Sequence, residues 1–209
     1  MSKMNDCSCG SMIAVERLEA KQRRVLLIVM MINAITFVGM VTGSVVSGSS
    51  ALLSGTLDNL GDALAYAVSL AVLGASAAAK ARAALFKSLL MGLAALVVLG
   101  QLILRSAHPL TPIAEIMGLA AMLNLMANGV CFALLTPHRA DDINMASVWQ
   151  CSRNDLAEGL AVVLTAFAVY WTASPLPDLL IGGLLLLLFS HSAIATARAA
   201  WQEMVAVPV

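Results

Sequence analysis

A chain of 209 residues that is 60% hydrophobic and 11% charged, with a mean hydropathy of +0.90, cannot cover a water-facing surface, since soluble domains carry about 25% charged residues. Lipid must supply part of its solvent, which places it among membrane proteins. A formal net charge of zero removes any case for nucleic-acid binding or for bulk attraction to anionic lipid.

The first 24 residues are polar and carry Lys3, Arg17, Lys21, Arg23 and Arg24 before any long apolar run. A secretory signal has a short apolar region followed by a small-residue cleavage site. Here the apolar run continues instead as a span. A helix that crosses a bilayer needs about 20 mostly apolar residues, and the bilayer obliges each backbone polar group to bond internally.

Six stretches meet that demand. The first runs from Val25 to Val46 and stops at Ser47-Gly48-Ser49-Ser50. The second runs from Ser50 to Ser76 and contains Asp58 and Asp62. Lys80, Arg82 and Lys87 then mark a loop. The third spans Ala84 to Leu104, and His108-Pro109 and Thr111-Pro112 separate it from the fourth, Ile113 to Leu135. Pro137 to Asp142 forms a polar loop before the fifth, Met145 to Trp171. Ser174-Pro175 and Pro177-Asp178 punctuate the turn into the sixth, Leu179 to Ala199.

The expected fold is therefore an all-α membrane protein with six transmembrane helices. Its parts are a cytoplasmic segment over residues 1–24, the helical domain over 25–200 and a short cytoplasmic tail over 201–209, with no soluble domain. Lys and Arg favour the N-terminal segment and the loops after the second and fourth helices. The loops after the first and fifth carry none, and the loop after the third carries only Arg105. The positive-inside rule then puts both termini in the cytoplasm.

Asp58 and Asp62 are the strongest chemical signal. Residues four apart on a helix share a face, with Cβ atoms about 6 Å apart. A charge near the bilayer centre costs a few kcal/mol or more, so two carboxylates there need a cation, shared protons or partners. A metal ion supplies what they lack, and protons can replace it. The plainer reading is a pair near a helix end, or a structural pair held by an Arg.

Cys151 and Asp155 repeat the spacing in the fifth span. A lone thiol in an apolar helix is usually a small buried hydrophobe. Beside the two aspartates it completes four donors, the ligand number zinc prefers, and a thiolate favours Zn or Cd over hard ions. Glu158, one turn beyond Asp155, is an accessory candidate as proton acceptor or salt-bridge partner. Arg153 either neutralises a carboxylate or faces the interface, the plainer alternative. Asn33, Asn124 and Asn128 read as interhelical hydrogen bonds, Cys131 and the scattered Met residues as packing. Gly55, Gly61 and Gly159 allow close helix approach. Cys7 and Cys9 could catch a soft metal on the N-terminal segment, though two thiols without a His make an incomplete ligand set.

The run Ser50 to Ala63, with Asp58 and Asp62 at its polar end, resembles the second transmembrane helix of the cation diffusion facilitators. In that family an acidic residue or His is followed after three residues by Asp. The fifth helix typically carries His-x-x-x-Asp, matched here by Cys151 and Asp155, and the resemblance extends over all six spans.

The resemblance implies a six-helix homodimer that exports Zn or a related cation in exchange for protons. It also implies a tetrahedral site of Asp58, Asp62, Cys151 and Asp155. Cys151 stands where the family has His, which pushes preference toward softer ions such as Cd. The family's cytoplasmic metal-sensing domain and the His-rich loop of some members are expected to have no counterpart here.

The expected function is thus a Zn2+ and/or Cd2+/proton antiporter, not an enzyme. It needs no cofactor beyond its cargo, and its partners are the metal ion, protons and membrane lipid. The expected location is a bacterial inner (plasma) membrane. The rival readings are a membrane enzyme with a metal-binding aspartate pair, disfavoured by scarce surface charge for holding a headgroup, and a non-transporting scaffold.

Overall fold

The computed structural model describes residues 20–71, 77–140 and 143–206. They form six helices: α1 (Ala20–Ser47), α2 (Ser50–Ala71), α3 (Ala77–Ala107), α4 (Ala114–Leu135), α5 (Ile143–Thr172) and α6 (Leu176–Ala206), with a 3-10 turn at Thr136–His138 before α5. No strand occurs among the described residues.

Among the described residues, five helices are long and apolar enough to cross a membrane unaided, namely α1, α3, α4, α5 and α6. The sixth, α2, spends its length on Asp58, Asn59, Asp62 and several Ser, Thr and Gly residues. At 1.5 Å per residue its 22 residues still reach across about 30 Å of hydrocarbon. Its polarity is tolerated because it is wrapped. α2 packs against every other helix of the bundle, and none of the described exposed large apolar side chains belongs to it. The lipid-facing surface is carried by the other five, through side chains such as Val38, Leu96, Val97, Leu123, Phe167 and Leu187.

The helices pair as α1 with α2, α4 with α5 and α3 with α6, while α2 also meets α6 and α3 and α1 meets α4. Two apolar clusters fill the interior. The larger includes Met40, Leu52, Leu57, Met91, Val98, Met117, Val162, Val169 and Leu186. The smaller gathers Leu26, Val29, Tyr66, Cys131, Leu135 and Met145. Met40, Met91, Met117, Met145 and Cys131 therefore pack as expected, whereas Met31, Met122 and Met126 are exposed.

The sharpest turn joins α1 to α2. Gly48 has φ +74°, a left-handed conformation that glycine adopts without steric cost, and its N–H bonds the Ser44 carbonyl at 2.8 Å. The Arg105 guanidinium lies so close that a Cβ on Gly48 would sit 2.8 Å from it.

Several expectations change. Lys80, Arg82 and Lys87 do not mark a loop: all three lie within α3, and Lys87 is 2% exposed. The sixth helix runs past its expected end at Ala199, continuing to Ala206. Helices persist past the hydrocarbon edge because backbone bonding, not side-chain polarity, sustains them. Asn33 does not reach a neighbouring helix; its amide donates to the Val29 carbonyl of its own helix at 3.1 Å. Cys7, Cys9, Asp141, Asp142 and the end of the second expected span at Ser76 lie outside the described residues.

Candidate metal site

The i, i+4 spacing in α2 sets Asp58 and Asp62 on one side of that helix. Asp62 is 4% exposed, and Asp58 is half-buried. On α5 the same spacing sets Cys151 one turn before Asp155, and both are buried. α2 and α5 pack against each other, so the two faces meet. The contact is direct: the Asp155 carboxyl hydrogen-bonds that of Asp58. A bond between two carboxyl groups needs a proton on one of them. Glu158 is half-buried, and its charge acts on Asp58, while Asp62 acts on Glu158 in turn. Three aspartates and a glutamate thus share one electrostatic neighbourhood at the junction of α2 and α5.

The four expected ligands are not gathered into one shell. Among the described residues no three His, Cys, Asp or Glu side chains stand close enough to hold an ion between them. Asp58 bonds Asp155, and its charge acts on Asp62.

Asp58 and Asp62 instead open on a small cavity of about 40 Å³ between α2, α3 and α6. Its walls include Gly61 of α2, Lys87, Ser88 and Met91 of α3, and Ser192 and Thr196 of α6. About 10–15 Å³ of such space admits one water, so the cavity has room for a dehydrated ion with little solvent. Cys151 and Asp155 do not line it. Asp58 is therefore the hinge of the arrangement, facing the cavity on one side and Asp155 on the other.

The surroundings are polar in a way the i, i+4 pattern alone does not reveal. The Asn59 amide donates to Asn124 Oδ1 at 2.9 Å, tying α2 to α4 beside the aspartates. The hydroxyl oxygens of Ser54 and Ser152 and the Asn59 carbonyl oxygen are buried without a hydrogen-bond partner. Arg153 does not neutralise the cluster. It is exposed, and its guanidinium lies 5.9 Å from the Trp149 ring, with Arg139 5.8 Å from the same ring, a cation–π arrangement.

Two residues the sequence reading passed over shape the site. Lys87 brings a cation into the cavity wall, and its charge acts on Asp62. Asp178, noted only as part of a turn, is 2% exposed and caps α2 from α6. It accepts from the Ser49 hydroxyl at 2.5 Å and from the Ser50 and Ala51 N–H groups at 2.7 and 3.0 Å. The Ser49 hydroxyl accepts from the Leu52 N–H at 3.0 Å. The first N–H groups of a helix have no partner within it, and here all three are satisfied. The carboxylate also stands at the positive end of the helix dipole. Asp178 thereby fixes the height and tilt of the helix that bears Asp58 and Asp62.

Gly182 lets this junction close. A Cβ there would lie 3.0 Å from the Ser50 carbonyl carbon and 3.1 Å from the Ala51 nitrogen, so α6 meets the α2 backbone directly. Gly55, Gly61 and Gly159 are also close-packed, against Met40, Met91 and Leu125.

No curated protein matches the chain. Set against known protein families, residues 26–200 match the cation efflux transmembrane domain. That stretch covers all of α2 and α5 and nearly the whole helical bundle. The family is one of metal cation transporters and not of enzymes. The chain is an integral membrane protein of the cation efflux family.

Proposed function

We propose that the protein exports Zn2+ and/or Cd2+ from the cytoplasm in exchange for protons, by alternating access. The single observation that carries this reading is the hydrogen bond between Asp58 of α2 and Asp155 of α5. It joins the two helices that bear the candidate ligands, and it requires a proton where a metal ion would need none.

In this reading the ion enters from the cytoplasmic side, where both termini lie, and binds Asp58, Asp62, Asp155 and the Cys151 thiolate. Ligands must be deprotonated to bind, so loading releases protons. Glu158 accepts a proton during loading or steadies the charge of the emptied site. Drawing the two pairs into one shell requires α2 and α5 to shift relative to each other, and the same shift turns the site outward. Protons arriving from outside restore the bond between Asp58 and Asp155 and expel the ion. Cys151, as a soft donor, favours Zn2+ and Cd2+ over hard cations. The working unit is a homodimer in the bacterial inner membrane, as the family resemblance implies.

The test is transport by purified protein in liposomes with trapped metal- and pH-sensitive dyes. Zn2+ or Cd2+ should move with opposite proton flux, and Asp62→Ala or Asp155→Ala should abolish both. Metal flux without proton counterflow would remove the antiport mechanism, and undiminished flux in the variants would remove the site.

A further inference from the structure

We propose that Lys87 is a resident cation of the carboxylate cluster: in the metal-free protein its ammonium holds the electrostatic place beside Asp62 that the cargo ion takes, and loading evicts it. The inference rests on the transport reading above and adds to it a built-in competitor.

Lys87 stands within the candidate span Leu85–Ala107 and is 2% exposed. It lies near the start of that span, where a lysine usually snorkels to the interface; enclosed in the bundle instead, this one needs an anionic neighbour. It has one: it lines the same cavity as Asp58 and Asp62, and its charge acts on Asp62. Among the described lining residues it is the only cation. The other basic side chain of this neighbourhood, Arg153, is exposed and stacked on Trp149.

The chemistry of the side chain fits eviction. Lysine is a compact point charge on a flexible four-carbon stem, unlike the flat, forked guanidinium. The cavity carries acceptors to which the ammonium can retract, the hydroxyls of Ser88, Ser192 and Thr196. Ammonium and divalent ion compete for one carboxylate, so the exchange keeps the dry interior from accumulating unpaired negative charge when the metal leaves. It also weakens equilibrium binding. That suits a carrier, whose site must hold an ion well enough to load it and loosely enough to release it.

The experiment is metal titration by calorimetry on the full chain in lipid nanodiscs, using Zn2+ and Cd2+ on wild type, Lys87→Met and Lys87→Arg. Methionine keeps an unbranched stem, one atom shorter, and removes the charge. Lys87→Met should lower the Kd about tenfold, which is about 1.4 kcal/mol, and lower maximal transport because the ion leaves slowly. Lys87→Arg should stay near wild type in affinity.

A second measurement needs no Lys87 variant. A pulse of membrane-permeant acylating reagent, read by mass spectrometry, should modify Lys87 severalfold faster when Cd2+ is bound, and Asp62→Asn should cancel that gain. An unchanged or weaker Kd in folded Lys87→Met, or amine reactivity indifferent to metal, overturns the inference and leaves the transport reading intact. If wild type binds neither ion, the transport reading fails and this inference falls with it.

Discussion

Replacing Asp178 removes the carboxylate that receives the Ser49 hydroxyl and the Ser50 and Ala51 N–H groups. Two backbone donors are then left facing a buried interface, since Asp178 is 2% exposed and Ser49 and Ser50 are as enclosed. A hydrogen bond to a charged group contributes about 1.5–3 kcal/mol in soluble proteins, whereas interhelical bonds in membrane proteins average about 0.6 kcal/mol. Three bonds together, with an orphaned helix end, place Asp178→Ala near a loss of about 3 kcal/mol. Asparagine keeps an acceptor but not the charge, and should lose about half as much.

At roughly 2–4 °C per kcal/mol for a chain of this size, Asp178→Ala should melt about 6–12 °C below wild type. The assay is thermal unfolding in detergent followed by the fluorescence of the three Trp residues. Because the cap positions α2, metal affinity should weaken as well, even though Asp178 is remote in sequence from Asp58 and Asp62. A melting temperature within about 2 °C of wild type, less than 1 kcal/mol, would refute the claim that this carboxylate pins α2 to α6.

Two further substitutions probe the packing and the donor set. Gly182→Val would drive a branched side chain into the Ser50 and Ala51 backbone; overpacking of this kind costs about 1–3 kcal/mol. It should lower the yield of monodisperse protein on size-exclusion chromatography and reduce the melting temperature. Cys151→His exchanges a soft donor for imidazole and should shift the ratio of Cd2+ to Zn2+ transport in liposomes toward Zn2+ by roughly tenfold. An unmoved ratio would mean that the thiol does not set preference.

The helical architecture was legible because lipid makes a strict demand: a run of apolar residues long enough to cross, bounded by Pro, Gly and Ser. All six runs became helices, and the turn at Gly48 and the break at Pro175 fell where expected. Several ends moved outward, as in α3 beginning at Ala77 and α6 ending at Ala206, because polar side chains end a hydrocarbon span without ending a helix. The same confusion hid Lys87. Read as a loop residue from its charge, it is a buried part of α3.

Within the site, the i, i+4 pairs followed from helical periodicity alone. That Asp58 bonds Asp155 depends on how α5 is rotated toward α2, which no local pattern encodes. Asp178 shows the limit most clearly. It lies 128 positions from Ser50, and nothing near it in sequence marks it as a cap for another helix. Asn33 and Asn124 make the complementary point. Both are asparagines in apolar helices, yet one bonds within its helix and the other across to Asn59, a difference set by which face each presents to a neighbour.

The most direct measurement is coupled flux in proteoliposomes containing wild type, Asp62→Ala or Asp155→Ala, with Zn2+ or Cd2+ on one side and a pH dye on the other. Wild type should move metal with an opposing proton current, and either alanine variant, folded by size-exclusion chromatography, should show neither. Metal-driven proton movement that survives loss of Asp62 or Asp155 would contradict the assignment of the α2–α5 carboxylates as the transport site.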